Sequence, residues 1–142
     1  MVEVKFYDEI DDSLLQFAVI ISKTNDKWVF CQHRERETYE VPGGHREAGE
    51  YILDTAKREL YEETGALEYS IEPVCVYSVT KTDDFGANES FGMVYFANIL
   101  SFETELHNEI ERILITEQLV ESWTYPLIQP KLIEEAKRRG YA

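Results

Sequence analysis

Five residues, Glu50, Arg58, Glu59, Glu62 and Glu63, have types and spacing from which chemistry could follow. Between Tyr51 and Thr64 apolar residues recur at helical intervals, with Leu53, Ala56 and Leu60 on one stripe, and Gly65 stands where a C-terminal glycine belongs. On such a helix Glu59 and Glu63 lie about 40° apart around the axis, and Glu62 about 60° to the other side of Glu59. Three carboxylates within an arc of about 100° repel one another unless a cation sits among them. Hard oxygen donors of this kind suit Mg²⁺ or Mn²⁺. Arg58 is the cation directly beside the cluster in sequence and could pair with Glu50 or Glu59, fixing their orientation. Just upstream, Gly43 and Gly44 let the backbone approach a ligand closely, and their carbonyls can reach a metal. A solvated acidic face is the ordinary explanation of a helical run like this one. The wider spacing argues against it: Gly44, Glu50, Arg58, Glu59, Glu62, Glu63 and Gly65, at about 7% usage each, match by chance with a probability on the order of 10⁻⁸.

The elements that must position these residues read as follows. Val2 to Phe6 alternates as a short edge strand. Leu14 to Ser22 and Trp28 to His33 form a hairpin around a turn-rich Lys23–Lys27. Tyr39-Glu40-Val41 runs into Pro42-Gly43-Gly44, a strand breaker. After the helix, Ile71 to Thr82 and Phe91 to Leu100 form a long hairpin joined by a polar connection at 83–88, and Ile110 to Ile115 is a further short strand. Thr116 is placed to cap a brief helix through Ser122, and Pro130 to open a last helix that runs to Arg139 and stops at Gly140. The order predicts an α/β fold, a mixed sheet with helices packed on its faces. No repeat or linker divides residues 1–142, so a single domain is expected.

Composition narrows the function. With 14 basic and 28 acidic residues the net charge is −14, which repels duplex nucleic acid and anionic membrane surfaces. An anionic substrate would then need a divalent metal as mediator. Cys31 and Cys75 read as buried thiols of a reducing compartment, and the N-terminus shows neither a basic nor an apolar targeting region. A cytoplasmic location is the expectation, with a small-molecule partner and a monomer or homodimer.

The pattern Gly44-x5-Glu50-x7-Arg58-Glu59-Leu60-x-Glu62-Glu63-x-Gly65-Ala66, preceded by Val41-Pro42-Gly43, resembles the box of the Nudix hydrolase family. Ala66 stands where that family usually has a bulkier aliphatic residue, a departure that bears on packing. The resemblance implies an α/β/α sandwich and metal-dependent hydrolysis of a nucleoside diphosphate linked to another moiety. It also implies roles. Glu62 and Glu63 resemble metal ligands together with the Gly44 carbonyl. Glu59 resembles the residue that orients or deprotonates water, beside the metal. Arg58 resembles its salt-bridge holder and Glu50 a supporting acid. Some members add a Glu from a later loop, and Glu109, entering the strand at Ile110, is the candidate here.

Around that box, Gly43, Arg34 and Arg36 could touch a phosphate. Phe85, with Phe91, Tyr77 and Tyr95, offers rings that could stack on a base or pack a core. His33, His45 and His107 read as surface or structural residues. The residues that mark NADH pyrophosphatases, ADP-ribose hydrolases and dinucleoside polyphosphate hydrolases are not in place. By elimination the chain is most similar to MutT-like nucleoside triphosphate pyrophosphohydrolases. The stretch from Pro126 to Leu132 resembles that of Gram-positive 8-oxo-dGTP hydrolases. The expected reaction is a (deoxy)nucleoside triphosphate, possible oxidised forms included, to monophosphate and pyrophosphate. The alternative is a non-catalytic module that binds a nucleotide or sugar nucleotide as a sensor.

Overall fold

In the computed structural model, which describes residues 2–105 and 110–142, one seven-stranded mixed sheet carries a helix on each face. The strands are β1 (Val2–Tyr7), β2 (Leu15–Thr24), β3 (Lys27–His33), β4 (Gly43–His45), β5 (Ala66–Asp83), β6 (Gly86–Phe102) and β7 (Ile110–Thr116). The helices are α1 (Ile52–Thr64) and α2 (Gln129–Arg138). The sheet order is β1-β5-β6-β2-β3-β7, with β4 pairing β2. All pairings are antiparallel except β2 with β6.

The period-2 alternation of β2 explains the two layers. Ala18 and Ile20 face α1, where they pack with Ala56, Leu60 and Ile99, while Val19 and Ile21 face α2 and join Phe30, Leu132 and Ile133. Full burial of side chains such as Leu60 or Ile133 contributes about 1.5–3 kcal/mol each and locks both helices against the sheet. The expected stripe on α1 is corrected at one end: Leu53 is exposed, and Ile52 packs on the cluster in its place. Gly65 ends α1 at φ 75°, with its N–H donating to Tyr61 O at 2.8 Å, a conformation that favours glycine.

The feature that builds the site is a split between β2 and β3. The two strands pair only next to their turn, Ser22–Thr24 with Lys27–Val29, and that turn places Asn25 and Asp26 at φ 50° and 63°. Farther along, Phe17–Val19 of β2 pair with Gly43–His45 of β4, and Cys31 of β3 pairs with Glu40. Pro42-Gly43-Gly44 is therefore no plain strand breaker: Gly43 and Gly44 belong to β4. A Cβ on Gly43 would lie 2.7 Å from Ala18 O, so only glycine fits against β2 there.

The β5–β6 hairpin is longer than its sequence pattern shows, because the ladder continues past Thr82 to a turn at Asp84-Phe85. The brief helix expected from Thr116 to Ser122 is absent. Thr116 Oγ1 instead accepts from Gln118 N–H at 3.2 Å in a local turn, and Tyr39 forms a bridge with Trp123 farther along the segment. The last helix starts one residue before Pro130, as the proline permits.

Candidate active site

α1 lies under β4 with its acidic edge toward the split. Arg58 organises one half of that edge. Its Nε and Nη2 donate to Glu50 Oε2 and Oε1 at 2.9 and 3.1 Å, a two-pronged pair, and its Nη1 donates to Glu59 Oε1 at 2.7 Å. Nη2 also donates to His45 O at 3.0 Å, which ties the helix to β4, and Nη1 lies 3.5 Å from Glu62 Oε2. Glu50 is held further by Thr55 Oγ1 at 2.6 Å, and Arg58 with Thr55 draws its carboxyl pKa down to about 2. Glu50 is thus a fixed anion that orients Arg58.

Glu59 is held differently. Burial pushes its pKa up to about 7, the charge of Glu63 adds to the rise, and Arg58 opposes it. Its carboxylate sits against the backbone at Gly44, so closely that a Cβ on Gly44 would fall 2.4 Å from Oε1. Glu63, buried, accepts from Gly43 N–H at 2.7 Å through Oε1 and lies 3.0 Å from His33 Nε2 through Oε2. Burial also raises the Glu63 carboxyl, against the opposing pull of His33 and Gly43.

The three helix carboxylates therefore share an edge without sharing one point. Glu59 and Glu62 stay with Arg58, while Glu63 turns through the split. Among the described residues, the group of three His, Cys, Asp or Glu donors whose atoms lie within 4.8 Å of one another is Cys31, Glu40 and Glu63. Burial, with the charges of Glu63 and Glu40, holds the Cys31 thiol well above its usual pKa, and its Sγ lies 3.5 Å from Glu40 O. What remains is oxygen: Glu59, Glu62, Glu63, Glu40 and the nearby backbone of Gly44.

A cleft of about 630 Å³ opens beside this edge on the α2 side of the sheet. Phe17, Val19, Tyr77 and Val79 form its floor, with the Phe17 and Tyr77 rings 5.4 Å apart. Ile128, Gln129 and Leu132 form a wall, and Gln129 Oε1 accepts from Val41 N–H at 2.9 Å, pinning α2 to the segment that enters β4. Glu63, Gly43 and Gly44 close one end. Lys81, Asn88 and Ser90 stand at the other, on facing residues of β5 and β6.

Of the sequence candidates, Glu50, Arg58, Glu59, Glu62, Glu63, Gly43 and Gly44 are brought together. Arg36 lines the cleft, with Nη1 3.2 Å from Glu40 Oε2, whereas Arg34 is exposed and outside the lining. Phe85, the residue expected to stack on a base, is 99% exposed at the hairpin turn and does not line the cleft. Among the other rings, Tyr77 lines the cleft and Tyr95 packs on the α1 side. Glu109 and His107 lie outside the described residues. Sequence reasoning missed Glu40, His33 and Gln129. The available signal was a carboxylate at residue 40, inside an otherwise apolar strand-like segment two residues before a Pro-Gly-Gly turn.

Fold and site together define a Nudix domain, and the chain belongs to that family: the NUDIX domain model matches residues 13–139. It is 30% identical over 104 residues to YtkD of Bacillus subtilis (strain 168), a protein provisionally named an 8-oxo-dGTP diphosphatase. The match covers 73% of this chain but 63% of YtkD, so the chain spans less than two thirds of that relative's length. Among solved structures, a mutant form of the Bacillus subtilis pyrophosphohydrolase BsRppH shares 25% identity and a TM-score of 0.79, over 99% of this chain and 92% of that one. The NUDIX domain of Shewanella oneidensis NrtR, solved with ADP ribose, has the same fold at 20% identity and a TM-score of 0.64, over 88% and 87% of the two chains. No helix among the described residues is long and apolar enough to cross a membrane.

Proposed function

We propose that this protein hydrolyses the pyrophosphate linkage of a small nucleotide, most specifically a (deoxy)nucleoside triphosphate, 8-oxo-dGTP included, to the monophosphate and pyrophosphate. The observation that carries the reading is the Glu50–Arg58–Glu59 assembly beneath Gly44 at the end of the cleft. The name of YtkD supports the triphosphate as substrate.

The donor set fits a hard divalent cation, Mg²⁺ or Mn²⁺. It is made of carboxylates crowded enough that Glu63 raises the proton affinity of Glu59, and Gly44, lacking a Cβ, lets the Glu59 carboxylate lie against the backbone. Glu62, Glu63 and the Gly44 carbonyl are the residues that would hold it, with Glu59 beside it. When bound, the metal neutralises phosphate oxygens and lowers the pKa of water. The chain's own residues do the rest. Glu59, a carboxylate made more basic by burial, accepts a proton from the attacking water. Water oxygen bonds to one phosphorus of the α–β bridge, and the P–O bond from that phosphorus to the bridging oxygen breaks, its electron pair leaving with the other product, monophosphate or pyrophosphate. Arg58 keeps Glu59 aimed, and Glu50 keeps Arg58 aimed. Arg36 meets the phosphates from the cleft side.

Hydrolysis of 8-oxo-dGTP, dGTP, ATP and ADP-ribose, followed by the nucleoside monophosphate formed and measured with Mg²⁺ and then with EDTA, tests the reading. Turnover of a triphosphate with Mg²⁺ and none with EDTA is the expected result. Binding of a nucleotide without any turnover would instead establish a sensor, against which the complete set of Glu59, Glu62 and Glu63 argues. The two buried free thiols accord with a reducing cytoplasm as the working compartment.

A further inference from the structure

Glu40 is a buried carboxylate that the catalytic reading leaves unused. Its backbone is anchored at the split in the sheet: Cys31 N–H donates to Glu40 O at 2.9 Å, and Glu40 N–H to Cys31 O at 3.0 Å. Its two side-chain oxygens face different ways. Oε1 lies 2.8 Å from His33 Nε2, and Oε2 accepts from Arg36 Nη1 at 3.2 Å. The same His33 nitrogen lies 3.0 Å from Glu63 Oε2. Arg36 in turn covers the Tyr125 ring, its guanidinium carbon 5.8 Å from the centroid. A continuous chain Glu63–His33–Glu40–Arg36–Tyr125 thus borders the cleft, and each of its members lines it.

Burying a carboxylate is costly unless it is well bonded, and apolar residues in place of a whole buried charged group often serve a fold as well. The arrangement makes sense when the two groups that Glu40 holds have work to do. One is a ring nitrogen shared with a metal-side carboxylate. The other is a cation that faces the cleft.

We infer that His33 and Glu40 are positioning residues: His33 fixes the Glu63 carboxylate, and Glu40 fixes both His33 and Arg36, setting the spacing between the metal side and the phosphate side of the cleft. This rests on the metal-dependent reading above.

Mn²⁺ binding, followed by the loss of the free-ion electron paramagnetic resonance signal, provides a readout independent of turnover. His33→Ala should weaken Mn²⁺ binding by about tenfold or more, the usual cost of removing a ligand's hydrogen-bond partner, and His33→Gln, which keeps a donor, should recover most of it. Glu40→Gln should raise KM for the nucleotide. In a double-mutant cycle Arg36→Ala should add less in that background than in the wild type. Wild-type Mn²⁺ affinity in His33→Ala, or independent effects of Glu40→Gln and Arg36→Ala on KM, overturns the inference while leaving the hydrolase reading intact. If His33→Ala does not fold, the Glu40–Arg36 cycle decides. A wild-type protein that binds no Mn²⁺ overturns both readings.

Discussion

The carboxylate of Glu59 fills the place that a side chain at residue 44 would take. A Cβ on Gly44 would lie 2.4 Å from the Glu59 carboxyl carbon and Oε1, and 2.7 Å from Oε2. The glycine of β4 and the acid of α1 are thus one fitted pair, and Arg58 clamps it from the helix side through Glu59 Oε1 and from the strand side through His45 O.

Gly44→Ala and Gly43→Ala should therefore fail in different ways. At residue 44 the obstacle is the end of a side chain that can swing away, so the fold survives while Glu59 is displaced. A displacement of about 1 Å costs on the order of 10² in kcat. At residue 43 the obstacle is the Ala18 carbonyl of the paired strand, which cannot move alone. Gly43→Ala should lose about 1–3 kcal/mol of stability. Urea unfolding and steady-state kinetics on both variants check the contrast.

Glu59→Gln keeps the shape and removes the proton acceptor. Its kcat should fall by about 10²–10⁴ with KM little changed, at every Mg²⁺ concentration. Glu63→Gln should raise the Mg²⁺ requirement and recover in part at high Mg²⁺. A Mg²⁺ titration of both variants at saturating nucleotide separates the roles, and the opposite pattern of rescue would reverse the two assignments.

Stability without metal should fall as pH rises from about 4.5 to about 7, because folded Glu59 holds its proton up to about 7 whereas its unperturbed value is 4.5. Between those values the folded state binds more protons than the unfolded one, which makes the slope negative. His33, its pKa raised chiefly by Glu63, works in the same direction, since its contribution is lost as pH climbs through the folded value. Mg²⁺ competes with those protons and binds the folded state, so it should raise Tm more at pH 8 than at pH 5.5. Scanning calorimetry with and without Mg²⁺ at the two pH values measures this. An equal shift at both would remove Glu59 and Glu63 from the metal site.

Phe85→Ser should leave kcat/KM within about twofold and Tm within about 2 °C, since an exposed ring at a hairpin turn contributes little. A large rise in KM would mean that the hairpin folds over the nucleotide.

How much was legible in the sequence follows from the range of each interaction. The helix over Ile52–Thr64, its glycine stop and the angular placement of its acids are local facts, set by a 3.6-residue period and a φ that favours glycine. The pairing of Arg58 with Glu50 and Glu59 spans at most eight residues and was likewise readable. The existence of every strand except β4 was readable too, from β-branched and aromatic runs, although the β5–β6 ladder extended through polar residues because each strand supplies the other's hydrogen bonds.

Only the tertiary structure decided that β4 would wedge β2 and β3 apart, that Glu63 would turn through that gap, and that Glu40, His33 and Arg36 would meet there. Two contacts that fasten the site join residues far apart in the chain, 30 positions between His33 and Glu63 and 88 between Val41 and Gln129. In a strand a shift of one residue reverses every side chain, so the pattern around residues 39–45 did not tell which of Tyr39, Glu40 and Val41 would face the cleft. That choice depends on the register of pairing with β2 and β3, and register is a property of the assembled sheet.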